Sequence, residues 1–291
     1  MRYIILSVFL FGTLFPLTVS SQVLPDDLHC MPVLIQIPLQ DNVHSSYGTG
    51  VFLDESNKVF LATAAHVIFN VNSTNKLELI NSVAILTVFA RGKDSTNKSM
   101  LLLNLKQIMD KGLLKRHSTH DVAVIQVGYD TPRDTNGNIS IVWESGVSSL
   151  STNLIVTWPP GESSKTFKDI PDGNETYILG YPVELLNTSI PQEVDFSYPL
   201  IRKGIISQRN QKTGKLIIDS GVYGGNSGGP VLIVEHPSLD ITSYKLCGLI
   251  TQFVPIMTRI APQIGVTNSD LVSSGYSVAE PIDYALELMR Q

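Results

Sequence analysis

Three short strings bring together residue types that could break an acyl bond: Leu61-Ala62-Thr63-Ala64-Ala65-His66-Val67, His120-Asp121-Val122-Ala123-Val124-Ile125 and Gly224-Gly225-Asn226-Ser227-Gly228-Gly229-Pro230. Serine is a poor nucleophile at neutral pH. Attack on a carbonyl needs a base within hydrogen-bond reach and a third group that fixes the tautomer of that base. His66, Asp121 and Ser227 supply one of each. The glycines around Ser227 add a mechanical element, because a tight turn lets the amides of Gly225 and Ser227 point at an oxygen that becomes negative in a tetrahedral intermediate. Losing one such donor costs about 3 kcal/mol in related chemistry, so the glycine frame says more than the serine alone.

Each string also has a plainer reading. A histidine after an apolar run is usually a core or surface residue, an aspartate before a strand is usually a solvated turn residue, and Gly-rich turns are common in β proteins. Coincidence explains the three poorly when they occur together in the order His, Asp, Ser, each at the edge of an expected strand. Gly225-Asn226-Ser227-Gly228-Gly229 also fits the G-x-S-x-G elbow of α/β-hydrolases. Those enzymes place an acid and then a histidine after the serine. Here His236 is the only later histidine, nine residues on, with Glu235 as the only acid between. His29, His44, His117, His120 and His236 show no metal-ligand spacing such as H-E-x-x-H, so neither a metal nor a cofactor is expected. His117 and His120, three apart beside Asp121, are read as surface residues near the cleft.

The elements that must position these residues read as strands. Short β-branched and aromatic runs bounded by turn residues fall at 31–39, 50–53, 59–63, 82–90, 99–105, 122–127, 139–143, 176–181, 200–208, 215–218, 230–234 and 245–253. Long amphipathic helices alternating with strands, which a parallel-sheet enzyme needs, are missing. A turn of helix fits 105–115. A better helix covers 280–290, with Ile282, Ala285, Leu286 and Met289 at helical spacing, Pro281 in its first turn and one face on the last barrel. The polar stretch 128–137 reads as the connection between two halves, and 158–173 as a loop excursion from the second.

Met1-Arg2, the apolar run to Val19 and Ser20-Ser21-Gln22 form an export signal, with cleavage expected near Ser21; the rival is an uncleaved anchor. A secreted or periplasmic protein without stable membrane association after cleavage is expected. The net charge of −5, the 16% charged residues and the absence of a basic run exclude a nucleic-acid partner or an anionic membrane surface. Cys30 and Cys247 form neither a dense disulfide scaffold nor a C-x-x-C site. An exported chain would allow a bridge between them, the alternative being two buried thiols. N-x-[ST] triplets at Asn72, Asn97, Asn138, Asn174 and Asn187 matter only in a host that glycosylates.

The strings TAAHV, DVAVI and GGNSGGPV resemble the three active-site motifs of the chymotrypsin/trypsin clan, particularly its HtrA-like bacterial branch. The resemblance begins at Gly48-Thr49-Gly50-Val51-Phe52 and continues through Ile178-Leu179-Gly180-Tyr181-Pro182, Arg202-Lys203-Gly204-Ile205-Ile206-Ser207 and Cys247-Gly248-Leu249-Ile250. It implies an all-β chain of two packed six-stranded antiparallel barrels with a short C-terminal helix, and a triad in the cleft between the barrels. The organisation expected is a signal peptide over 1–21, a first barrel over 22–130, a connection over 131–150, a second barrel over 151–279 and a helix over 280–291.

The implied activity is that of a secreted serine endopeptidase acting on polypeptides. His66, Asp121 and Ser227 form the triad, and the Gly225 and Ser227 amides the oxyanion hole. Gly221, Val222, Thr251, Gln252 and Phe253 line the site for the residue before the scissile bond. No carboxylate stands at Gly221, so a small or medium apolar side chain is expected there rather than Arg or Lys, although Asp219 lies close in sequence. Asn226 stands where many animal members carry an aspartate that answers zymogen cleavage, so that switch is expected to be absent. HtrA-like proteins usually carry a PDZ domain after the barrels, for which residues 280–291 leave no room. The competing reading is a catalytically silent binding protein on a peptidase fold. Such proteins commonly lose a triad residue or the flanking glycines, and this chain keeps both.

Overall fold

The computed structural model describes residues 25–39, 41, 43–72, 76–89, 98–131, 140–150, 163–183, 198–238, 241–260 and 268–291. The expected signal segment lies outside them, as do Asn97, Asn138 and Asn187. No helix among the described residues is long and apolar enough to cross a membrane.

After a turn of helix, α1 (Asp26–His29), the first half builds β1 (Pro32–Pro38), β2 (Ser45–Glu55) and β3 (Lys58–Thr63), then helix α2 (Ala65–Ile68). A small hairpin follows, β4 (Phe69–Val71) with β5 (Leu77–Leu79). Next come β6 (Val83–Phe89), β7 (Lys98–Asn104), helix α3 (Leu105–Asp110), β8 (Leu114–Arg116), β9 (Ala123–Asp130), β10 (Ile141–Trp143) and β11 (Val147–Ser149). Apart from the hairpin, these strands form one antiparallel sheet in the order β10-β9-β3-β2-β1-β6-β7-β11, with β8 beside β9. The two strands at opposite ends of that order are joined by Glu144, Ser145 and Gly146 alone, with a turn bond from Val147 N to Glu144 O of 2.9 Å. So short a link forces the sheet to curl until its ends lie side by side. Nine strands therefore stand where six were expected. Residues 141–149, expected in the connection, supply two of them.

The second half builds β12 (Glu175–Gly180), β13 (Leu200–Asn210), β14 (Lys215–Asp219), β15 (Pro230–Ser238), β16 (Ile241–Ile260) and β17 (Asn268–Pro281), then α4 (Asp283–Arg290). These six strands close as β12-β13-β14-β17-β16-β15.

Side chains alternate across a strand, and here both faces are covered. Phe52, Val59, Leu61, Ile125 and Val127 point into the first sheet's interior, while Val231, Ile233 and Cys247 fill the second barrel. The intervening Val51, Leu53, Phe60, Ala62 and Val124 meet Leu179, Leu232, Val234 and Leu246 in a third core between the two bodies. Each such buried aliphatic side chain contributes about 1.5–3 kcal/mol, so the seam holds the halves in fixed register. The helix α4 inserts Ala285, Leu286 and Met289, together with Ile282 just before it, into this seam and not onto the last barrel alone. Pro281 ends β17 opposite Gly248 and is not in the helix.

Cys30 and Cys247 are both buried and are not bridged to each other, so the bridge that export would allow is not formed. Burial in the second barrel pushes the Cys247 thiol far up, which makes it inert.

Candidate active site

The strand β3 ends at Thr63, and the small residues Ala64 and Ala65 let the chain turn into α2 under close cover, leaving His66 exposed. Asp121 comes from the tight loop before β9. In that loop His117 N bonds Val122 O at 2.9 Å, Val122 N bonds His120 O at 2.9 Å, and the His120 amide donates to His117 Nδ1 at 3.0 Å. The two residues meet at 2.6 Å, from His66 Nδ1 to Asp121 Oδ2. The other carboxylate oxygen accepts from the His66 amide at 2.9 Å. The Asp121 carbonyl accepts from Ala65 N at 3.2 Å, and its amide donates to Glu280 Oε1 at 3.3 Å. Every polar group of Asp121 is thus engaged. Burial pushes its carboxyl up, but hydrogen bonding to His66 and the charges of His66 and Lys215 outweigh that, so the net shift is downward and the group stays ionised. An ionised carboxylate only accepts, so Nδ1 carries a proton and Nε2 offers a lone pair.

Half-buried Ser227 lies in the turn before β15. Its carbonyl accepts from Thr49 N at 2.7 Å, a bond from one body to the other. At Gly228, with φ +85°, a Cβ would lie 2.1 Å from Thr63 Oγ1 and 2.9 Å from Ala64 N. Only a glycine lets this turn press against the strand end that carries His66. Gly225, with φ +99°, is equally constrained, a Cβ there falling 2.2 Å from Tyr181 O. Within the turn, the amides of Asn226, Gly228 and Gly229 bond Tyr223 O, Ile250 O and Asn226 O. Among the described residues the amides of Gly225 and Ser227 bond nothing, as an oxyanion site requires.

The expected substrate-site residues divide. Gly221 is half-buried, and its carbonyl accepts from Arg202 Nη1 at 2.8 Å. The same guanidinium lies 4.5 Å from the ring centre of exposed Tyr223. Asp219 is exposed at the end of β14, whose inward residues are Leu216 and Ile218. Val222 is buried in the core cluster of the second barrel. Buried Thr251 bonds Val278 O, while Gln252 and Phe253 are exposed. On β16 the pairing with β15 reaches only Leu249, and residues 251–253 have β17 on one side and, among the described residues, no strand on the other. An extended chain can add there.

Two contributors lay outside the sequence reading. Thr49, fully buried on β2, donates from Oγ1 to Gly225 O at 2.7 Å, accepts from Tyr181 N at 3.0 Å, and takes the Thr63 hydroxyl on its carbonyl at 2.7 Å. Glu280, fully buried on β17, is the other. His117 and His120, expected at the surface, are largely buried: His120 Nδ1 lies 2.8 Å from Glu280, and its ring stacks on Tyr284 at 3.5 Å.

Residues 48–236 match the family model of the trypsin-like peptidase domain. No curated protein matches the chain in sequence. Among solved structures it is similar to the HtrA-type protease AlgW with tripeptide, at 17% identity and TM-score 0.46 over 91% of this chain and 62% of that one. Similar too are the serine endoprotease from Yersinia pestis (16%, TM-score 0.47, 91% and 64%) and the thermostable serine protease AL20 from an extremophilic microorganism (11%, TM-score 0.47, 91% and 96%). The chain thus spans under two thirds of the first two. With a family match across most of its length, enclosing His66, Asp121 and Ser227, the chain belongs to the trypsin-like peptidases.

Proposed function

We propose that this chain is an exported serine endopeptidase. Ser227 attacks the peptide carbonyl while His66 Nε2 takes its proton, and Asp121 holds the imidazole and stabilises the imidazolium that forms. The oxyanion of the tetrahedral intermediate rests on the amides of Gly225 and Ser227. His66 then returns the proton to the leaving amine, and water repeats the sequence on the acyl-enzyme. The observation that carries this reading is the pairing of a fully engaged Asp121 beneath His66 with two amides in the Ser227 turn that have no partner among the described residues.

Substrate lies along Thr251–Phe253 as an added strand, its side chain before the scissile bond directed at Gly221. The Arg202 guanidinium on the Gly221 carbonyl disfavours a basic residue there and leaves a small or medium apolar one preferred. Export rests on the apolar segment after Met1-Arg2.

The test is labelling of purified residues 22–291 by a fluorophosphonate probe beside Ser227→Ala, with peptide mapping. Modification confined to Ser227 is expected; a folded protein that never labels turns the assignment to a silent binding protein.

A further inference from the structure

A carboxylate with none of its surface exposed is unfavourable unless donors surround it. Glu280 has 0% exposure and three donors: His120 Nδ1 at 2.8 Å, Lys215 Nζ at 2.8 Å and the Asp121 amide at 3.3 Å. The donors come from both bodies. Lys215 belongs to β14 of the second barrel, like Glu280 on β17, whereas His120 and Asp121 belong to the loop before β9 of the first sheet. The proposed triad is divided in the same way, with His66 and Asp121 on one body and Ser227 on the other. A bond from the second barrel to the backbone of Asp121 itself therefore sets the base and its partner in register with the nucleophile.

We infer that Glu280 is a positioning residue of the active site: a buried anion that holds the Asp121 loop from across the seam and balances the Lys215 charge beside it. This rests on the triad proposed above. Lys215 lies close enough to Asp121 to favour its ionised form. Without Glu280 that cation would be unopposed, and its repulsion of the imidazolium that forms at His66 would make protonation of His66 harder. The other ionisable groups of the neighbourhood are His117, 4.9 Å from His120 between ring centres, Tyr284 stacked on His120, Asp283, and Glu287, 3.6 Å from His117. None of these touches Asp121 directly among the described residues.

The experiment compares Glu280→Gln and Lys215→Met with the wild-type protein, whose labelling at Ser227 is the control for the underlying reading: if the wild type fails to label, that reading falls and not this one alone. In Glu280→Gln we expect kcat to fall about 10- to 100-fold with KM within about twofold, as misplacement of catalytic groups produces. Charge sign separates positioning from mere support. The acid limb of kcat/KM should move down by about half a pH unit in Glu280→Gln, where Lys215 is unopposed, and up by a similar amount in Lys215→Met, where Glu280 is. A folded Glu280→Gln with unchanged kcat and acid limb overturns the inference, as does activity that follows melting temperature alone. If Glu280→Gln does not fold, Lys215→Met decides: an upward shift supports the role, and an unmoved limb removes it.

Discussion

The two sides of the proposed catalytic centre are built on opposite rules. On the first body, Asp121 has its amide, carbonyl and both carboxylate oxygens bonded, so the residue that orients the base has no freedom to reorient. On the second body, the Ser227 turn ties down the amides of Asn226, Gly228 and Gly229 and, among the described residues, leaves those of Gly225 and Ser227 open. Saturation suits a group that must stay ionised and still. Open donors suit a site whose partner exists only while substrate reacts, since they need not first release a bond.

The largest effects should come from emptying either side. Ser227→Ala or His66→Ala should lower kcat about a millionfold, and Asp121→Asn about ten-thousandfold, because the amide presents a donor to Nδ1 and selects the wrong tautomer. Hydrolysis that survives all three changes would sink the assignment. Next is the open side: Gly225→Ala cannot keep φ +99° beside Tyr181 O, so the turn must move and its amide leave its aim. We expect kcat to fall about 100- to 1000-fold with KM little changed; a normal kcat would show that the Gly225 amide is not a donor.

Thr49 tests the seam between the sides. Thr49→Val leaves the Tyr181 amide and Gly225 carbonyl without the hydroxyl and should destabilise the protein by about 1–3 kcal/mol in urea denaturation. A variant as stable as the parent would argue that the seam's apolar core alone sets the register.

The smallest effect sharpens the contrast with Asp121 through another carboxylate of the first sheet. Asp54 is pushed up to about 6 by burial and by the neighbouring Asp130, the reverse of Asp121. A raised carboxyl adds stability below its unfolded value, near 4, and loses it as pH rises through about 6. Asp54→Asn should therefore raise the melting temperature at pH 7.5 by about 3 °C, equivalent to about 1 kcal/mol after allowing for solvent screening, with the gain vanishing near pH 4. A gain that persists at pH 4 would mean the pair does not titrate as described. Asp121 behaves oppositely: its contribution is present above the ordinary carboxyl range and disappears as pH falls through its lowered value.

The candidates His66, Asp121 and Ser227 are picked out in sequence because each sits in a local signature: small residues before the histidine, an apolar strand after the aspartate, glycines around the serine. Twelve expected strands have counterparts for the same reason, as runs of alternating or continuous apolar residues. Thr49 and Glu280 are not legible. Their partners lie 176 and 160 residues away, at Gly225 and His120, and a single Thr or Glu inside a strand has no local mark of its burial. Strands β4, β5, β8 and β11 have three residues each, too few to show a period, and β17 is interrupted by Ser273, Ser274 and Gly275. His117 and His120, expected at the surface, are covered because α4 lies in the seam and reaches both bodies, with Tyr284 and Glu287 of that helix against them.

The strand β17 closes the second barrel between β14 and β16 and brings Glu280 to Asp121, yet it is the last strand among the described residues. During synthesis the triad residues all emerge before it. A growing chain that has already exposed Ser227 still lacks the strand that completes the wall around that serine, and the anion that meets the opposite body. The order of residues thus puts the strand that carries Glu280 last among the parts of the proposed centre, which is complete only once residues 268–281 have joined the chain.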